Sequence, residues 1–258
     1  MTQNVWLIPG ENPGDGFLCG TNVYIVGQGQ KRFLIDACHR NNLKFLDNIR
    51  VFLRDQNCQI ELGHASPIVL KYVCDNLETD QLRLFEHPDL AQYLFNIREG
   101  DVFLMDDWIL KPIETPGHIK DHLCFLLEQK EQETILFTGD HIIGSDSTFF
   151  MDYPEYLRSL EKIKRMTNVK KFLMAHSMSF EMKDLLVDAQ QKVQQYLDIR
   201  KRKDDKLESY INVFIYQSLQ NTLVTGKLHT RITERRLKKF VEEYKIRLEG
   251  DRYFVVKL

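Results

Sequence analysis

Cysteine pairs at redox or metal spacing are missing from this 258-residue chain; its five cysteines (Cys19, Cys38, Cys58, Cys74 and Cys124) are scattered, with no CxxC among them. An odd, dispersed set reads as free thiols in a reducing compartment and argues against a disulfide framework. No apolar run approaches the roughly 20 residues needed to cross a bilayer, so no transmembrane segment is expected. Charge of one sign is not in excess either: the formal net charge is −2, which gives no global attraction to nucleic acid but leaves room for a locally basic surface. Glycine and proline are too few, at 13 and 7, to suggest disorder. The opening MTQNVWLIPGENPG has neither a basic-then-apolar stretch nor an Arg/Ser-rich amphipathic presequence, and this leaves the compartment open.

What is present is 43% apolar or aromatic residues, enough for one large core and a smaller appended one. The runs NVYIVG (22–27) and KRFLID (31–36), with a Gly-rich separator, predict a hairpin. Leu43, Leu46, Ile49 and Leu53 recur at helical spacing, and 58–62 reads as the next strand. A helix is expected over 65–78, starting near Pro67. Further strands are predicted at 100–103, 108–113, 122–128, 134–138 and 172–175, with a helix over 152–166. Beyond that the pattern turns helical: one long amphipathic helix over 181–202, the charged run RKRKDDK at 200–206, then helical segments and a terminal strand pair turning at Gly250 and Asp251. The change of pattern predicts two domains, residues 1–178 and residues 179–258.

Four residues that follow or close predicted strands carry possible chemistry: His64, His118, Asp140 and His176. Strand-end loops can converge on one edge of a β-rich core, and histidine with carboxylate suits a borderline ion such as zinc. Each also has a plain reading. A lone histidine in a glycine-bounded loop is a common turn residue, Asp140 could cap the turn that follows, and His64 could sit beside a helix N-terminus. No HxH pair is present to decide between the two.

In combination these stretches resemble the metallo-β-lactamase superfamily, and within it the β-lactamase-like protein 2 group of mitochondrial endoribonucleases. GTNVYIVGQGQKRFLIDAC (20–38) is similar to the family's opening strand pair, ETPGHIKDH (114–122) to its TPGHTxDH loop, and FTGDHIIG (137–144) to its SGDxxLG loop. YLRSLEKI (156–163) and AQQKVQQYLDIRKRKD (189–204) resemble the helices that follow. The resemblance implies an α/β fold, the αββα four-layer sandwich, with a small C-terminal, mainly helical, winged-helix-like domain. It also implies metal ligands at His118, Asp140 and His176, with His64 at the first position of the family's HxHxDH loop. There the agreement stops: Ser66, Ile68 and Val69 stand where that loop has its second histidine, its aspartate and its third histidine, and MAHSM (174–178) replaces PGHG.

Serine is a poor substitute for an imidazole ligand, and isoleucine and valine offer no lone pair. Losing three ligands from one loop should abolish two-metal binding. The expectation is therefore a non-catalytic protein without cofactor, serving as a structural or interaction subunit with protein partners in a larger assembly. By resemblance that assembly is mitochondrial; otherwise the chain is cytoplasmic. The alternatives are a residual zinc site at His118, Asp140 and His176 supporting hydrolysis of single-stranded RNA, and RNA binding without cleavage. The last draws on ten Lys or Arg against five Asp or Glu from Lys227 to Lys257, with Arg235, Arg236, Lys238 and Lys239 as its probes. A solvated helix face explains the same charges.

Overall fold

In Asn22–Val26 every residue is buried, because alternate side chains enter two different cores. The structure is a computed structural model, and it describes residues 4–14, 17–38, 42–64, 97–105, 107–219, 235, 236, 239, 246–249 and 252–255. The fold is α/β: two β-sheets flanked by helices, with a helical region toward the C-terminus.

The first sheet runs β1 (Val5–Pro9), β2 (Asn22–Val26), β3 (Lys31–Ile35) and β4 (Gln59–His64). The predicted hairpin is β2–β3, antiparallel, turning at Gly27 and Gly29, which both hold positive φ. Val23, Ile25 and Leu34 face helix α1 (Leu43–Asp55) and meet its Phe45, Leu46, Ile49 and Leu53. Asn42 caps α1 by accepting from the Phe45 amide, 3.1 Å away, and this fixes where the helix begins.

Tyr24, Val26, Phe33 and Ile35 point the other way, into a core shared with the second sheet. That sheet has the order β10-β9-β8-β7-β6-β5, from β5 (Phe103–Met105), β6 (Trp108–Glu114), β7 (Leu123–Gln129), β8 (Thr134–Phe137), β9 (Val169–Leu173) and β10 (Leu186–Asp188). Trp108, Leu110, Phe125, Leu127, Ile135 and Phe137 supply its half of the core. The Tyr24 and Phe137 rings lie 5.1 Å apart across the layers.

Two expectations are corrected. The strand read at 100–103 begins at Phe103, because 98–101 is a turn: the Arg98 amide donates to the Asp101 carboxylate and Gly100 takes positive φ. The single helix read over 181–202 is interrupted. A short helix α3 (Met182–Leu185) gives way to β10, which pairs antiparallel with Lys171–Leu173, before helix α4 (Ala189–Leu219) starts. Sheet pairing satisfies backbone groups of β9 and overrides the helical periodicity. The run RKRKDDK is part of α4. The helix expected over 65–78, and most of the region after 219, lie outside the described residues. The terminal strand pair is present as β11 (Ile246–Glu249) and β12 (Arg252–Val255).

The chain divides into two compact units. The first comprises 1–114, 123–148 and 167–190; the second comprises 115–122, 149–166 and 191–258. Within the second, helix α2 (Tyr153–Arg165) is capped by Asp152, has Pro154 in its first turn, and buries Tyr153, Tyr156, Leu160 and Ile163. It meets α4 at two buried charged residues. Arg200 of α4 is buried with its guanidinium 5.3 Å from the Tyr156 ring, 5.5 Å from Phe150 and 5.6 Å from Tyr196. One turn further on, the buried Asp204 accepts from the Tyr153 hydroxyl at 2.8 Å, Lys239 at 2.9 Å and Arg236 at 3.2 Å. Buried carboxylates persist only when paired and hydrogen-bonded in this way.

Candidate functional site

Three strand ends of the first unit build the site. β8 ends in a single 3-10 turn, Gly139–His141, which carries Asp140. Two threonines fix that turn: Thr138 Oγ1 donates to the Ile142 carbonyl at 2.6 Å, and Thr148 Oγ1 to the Asp140 carbonyl at 2.8 Å. β9 continues into an extended segment that is zipped to residues 19–22. The Asn22 amide donates to Ala175, the Cys19 amide to Ser177, and Thr21 bridges His176. Gly144 receives this segment closely; a Cβ there would stand 2.7 Å from the Ser177 Cα.

His176 is thereby placed with Nε2 2.9 Å from Asp140 Oδ1 and Nδ1 3.2 Å from the Gly20 carbonyl. Both partners are acceptors, so both ring nitrogens donate when the imidazole is protonated, whereas the neutral ring donates from one alone. Burial works against charge on this imidazole, but the hydrogen bond and charge of Asp140, with the Gly20 carbonyl and the charge of Asp36, raise its pKa above the ordinary histidine value. Phe17 packs its ring edge-on to His176, 5.3 Å between centroids.

Asp36 is the residue that sequence reasoning missed. It closes β3 in a left-handed conformation, φ 65°. Burial first, then the negative charge of Asp140, push its carboxyl up to about 7, while His176 pulls the other way. The signal that marked Asp140 and His176, a polar residue closing a buried strand, also applies to LIDAC (34–38).

His118 lies in the second unit. Its loop is held against α2: Gly117 has φ 126°, and a Cβ there would fall 2.3 Å from the Tyr156 backbone. The Met151 amide donates to the Gly117 and His118 carbonyls, and Ser159 Oγ donates to the Pro116 carbonyl at 2.7 Å. His118 Nδ1 is 2.7 Å from the Phe149 carbonyl, and its ring meets His122 edge-on at 5.7 Å. His122 in turn is buried against Thr115 Oγ1 at 2.8 Å, whereas Asp121 is exposed. His64 is the last residue of β4, in parallel register with Ile35. Ser66, Ile68 and Val69 lie outside the described residues.

The structure thus brings Asp140 and His176 together, with Asp36 in electrostatic reach. With Nδ1 donating to the Gly20 carbonyl, the neutral imidazole turns its Nε2 lone pair toward Asp140, and the two side chains together offer two of the three or four donors an ion needs. Among the described residues, no group of three or more His, Cys, Asp or Glu side chains is gathered to hold one.

No protein-family model matches this chain. It is similar to a lactamase-like protein nscB of Arthroderma benhamiae, with 34% identity over 167 residues covering 62% of this chain and 37% of that protein. It is also similar to an atrochrysone carboxyl ACP thioesterase of Aspergillus fumigatus, with 30% identity over 213 residues covering 79% and 64%. A β-lactamase-like protein 2 homolog of Caenorhabditis elegans shares 28% identity over 218 residues, covering 80% and 70%. The chain spans 37% of the length of the first of these relatives and 64% of the second.

Among solved structures, a β-lactamase domain protein from Burkholderia ambifaria superimposes with a TM-score of 0.68 over 99% of this chain and 92% of that one, at 14% identity. A metallo-β-lactamase family protein from Thermus thermophilus gives 0.65 over 98% and 99%, at 16% identity. The architecture is that of the metallo-β-lactamase superfamily.

Proposed function

We propose that this chain is a non-catalytic protein of the β-lactamase-like protein 2 type, with a degenerate HxHxDH loop, acting as a structural or interaction subunit of a larger assembly. By the resemblance of its sequence, that assembly is mitochondrial. The observation that carries the reading is the substitution of Ser66, Ile68 and Val69 for three ligand types of that loop, none of which supplies an imidazole or a carboxylate.

The second reading is a hydrolase. It is favoured by the thioesterase among the relatives, and it would use His118, Asp140, His176 and His64 as ligands. That relative's name points to thioesters and the sequence resemblance to RNA phosphodiesters, so both are to be assayed. RNA binding without cleavage is less well supported by two of its probes, since Arg236 and Lys239 are committed to Asp204.

Elemental analysis of the purified chain, with turnover measured in zinc or manganese on single-stranded RNA and on an acyl thioester, tests the proposal. The expected result is substoichiometric metal and no turnover above that of Asp140→Ala. Stoichiometric metal with turnover abolished by Asp140→Ala would overturn it.

A further inference from the structure

The second unit leaves three large apolar side chains in water: Ile119, Phe149 and Met151, at 39%, 49% and 56% exposure. The two stretches of chain that carry them are tied together. The Met151 amide donates to the Gly117 carbonyl at 2.8 Å and to the His118 carbonyl at 3.0 Å, and the Gly117 amide donates to the Ile119 carbonyl at 3.0 Å. The His118 ring meets that of Phe149 edge-on at 6.2 Å. Helix α2 fixes the whole, since Gly117 sits on the Tyr156 backbone and Ser159 holds the Pro116 carbonyl.

Charge borders this patch. The Arg235 guanidinium lies over the Phe149 ring, 4.4 Å from its centroid, and donates to the Phe150 carbonyl at 2.6 Å. Among the described residues no carboxylate pairs with it. Lys120, beside Ile119, is exposed. Of the acidic residues in these stretches, Asp152 caps α2 and Glu155 holds Arg158, which leaves the exposed Asp121.

We propose that this patch anchors a segment of a protein partner in which bulky apolar side chains are flanked by carboxylates. The apolar side chains would sit on Ile119, Phe149 and Met151, and a carboxylate would meet the Arg235 guanidinium. The inference rests on the reading of the chain as an interaction subunit and names the surface it would use.

Single exposed apolar residues are ordinary, whereas a group of them with a charged rim marks a contact. Held by backbone hydrogen bonds, these anchors need little further ordering on binding, and methionine adapts to the shape it meets. A guanidinium has five donors in a planar fork, so one bond to the Phe150 carbonyl leaves an edge for a carboxylate. A nucleic-acid strand stacks its bases on open aromatic faces, but Arg235 covers one face of Phe149, and Ile119 and Met151 are not planar. RNA or an anionic bilayer would also press negative charge on Asp121. A folded partner can place its carboxylates clear of that residue, and a uniformly anionic surface cannot.

Fluorescence anisotropy on the full chain tests this with three short labelled peptides. The first has a central leucine and phenylalanine flanked by glutamates. The second has the same centre flanked by lysines, and the third has serines at the centre flanked by glutamates. Single-stranded RNA and vesicles of phosphatidylcholine and phosphatidylserine in equal parts complete the set. The first peptide should bind at least about tenfold more tightly than either of the others. Ile119→Asp with Met151→Asp should weaken it about tenfold or more, and Arg235→Gln should shrink its advantage over the lysine peptide. Should either variant lose its thermal unfolding transition, Lys120→Glu, at an exposed position, reads the same charge preference.

Equal binding of the glutamate and lysine peptides overturns the proposal, as does equal binding of the serine peptide or no binding at all. RNA or vesicle binding that exceeds that of every peptide, and is lost in Ile119→Asp with Met151→Asp, assigns the patch to that partner instead. Metal-dependent turnover would sink the non-catalytic reading and leave the peptide result standing, so the two failures are distinguishable.

Discussion

His176 and Asp36 titrate in the same direction with respect to stability, although one is a base and the other an acid. The folded pKa of His176 is raised, so its contribution is complete below the unfolded value and is lost as pH rises through the folded one. The Asp36 carboxyl is raised from 3.8 to about 7, so the fold favours its neutral form and loses that contribution as pH climbs across the interval. The urea midpoint should therefore fall between about pH 5.5 and about pH 7, and Asp36→Asn should flatten part of the slope. A midpoint that rises over that range contradicts this account. Gly117 offers a sharper test. Gly117→Ala forces a side chain onto the Tyr156 backbone at a φ that alanine avoids, and should cost roughly 3 kcal/mol or more, read from thermal unfolding. Strand-end logic found Asp140 and His176 because their side-chain chemistry is visible in the letters. It could not find the Gly20 carbonyl, since a backbone acceptor leaves no mark on residue type.

Elements show why periodicity alone misleads. Residues 181–202 have helical spacing throughout, yet Leu186–Asp188 leaves the helix to pair with β9, because an open backbone edge outweighs local preference. Val187→Pro would remove a backbone donor and strain that short strand; hydrogen exchange should then speed up at Lys171–Leu173 while α1 is unaffected. Helix α4 supplies the second prediction at this scale. Asp204→Ala leaves Arg236 and Lys239 without their shared carboxylate in a buried setting, and should destabilise by roughly 3–5 kcal/mol in chemical denaturation. Tyr153→Phe, which deletes one donor and keeps the ring, should cost only about 1 kcal/mol. If the two costs are equal, the carboxylate is not what holds Arg236 and Lys239 to the helix. The sequence had marked these cations for a nucleic-acid surface; a buried aspartate 35 positions away from one of them is not something that spacing could reveal.

At the scale of the whole molecule, the inner strands and the helices α1 and α2 were legible, because two buried faces per strand leave apolar runs and a covering helix leaves a 3.6-residue stripe, while β1 and β10 were not. The αββα architecture was implied by the family resemblance and not by those signals. Membership of the compact units was not legible, for the second unit draws on three separate stretches of chain, 115–122, 149–166 and 191–258. That interleaving has a practical consequence for anyone dissecting the protein. A stop codon after residue 190 does not release a free-standing piece. It would strip Phe150, Tyr153 and Tyr156 of Arg200 and Asp204 and leave a ring cluster bare to water, so the shortened chain should be recovered in the insoluble fraction. Nor can 191–258 be cloned as a portable tag, since the aromatic bed on which its arginine rests is encoded upstream. The stretch after residue 190 is in this sense not an appendix to the second unit but part of its interior.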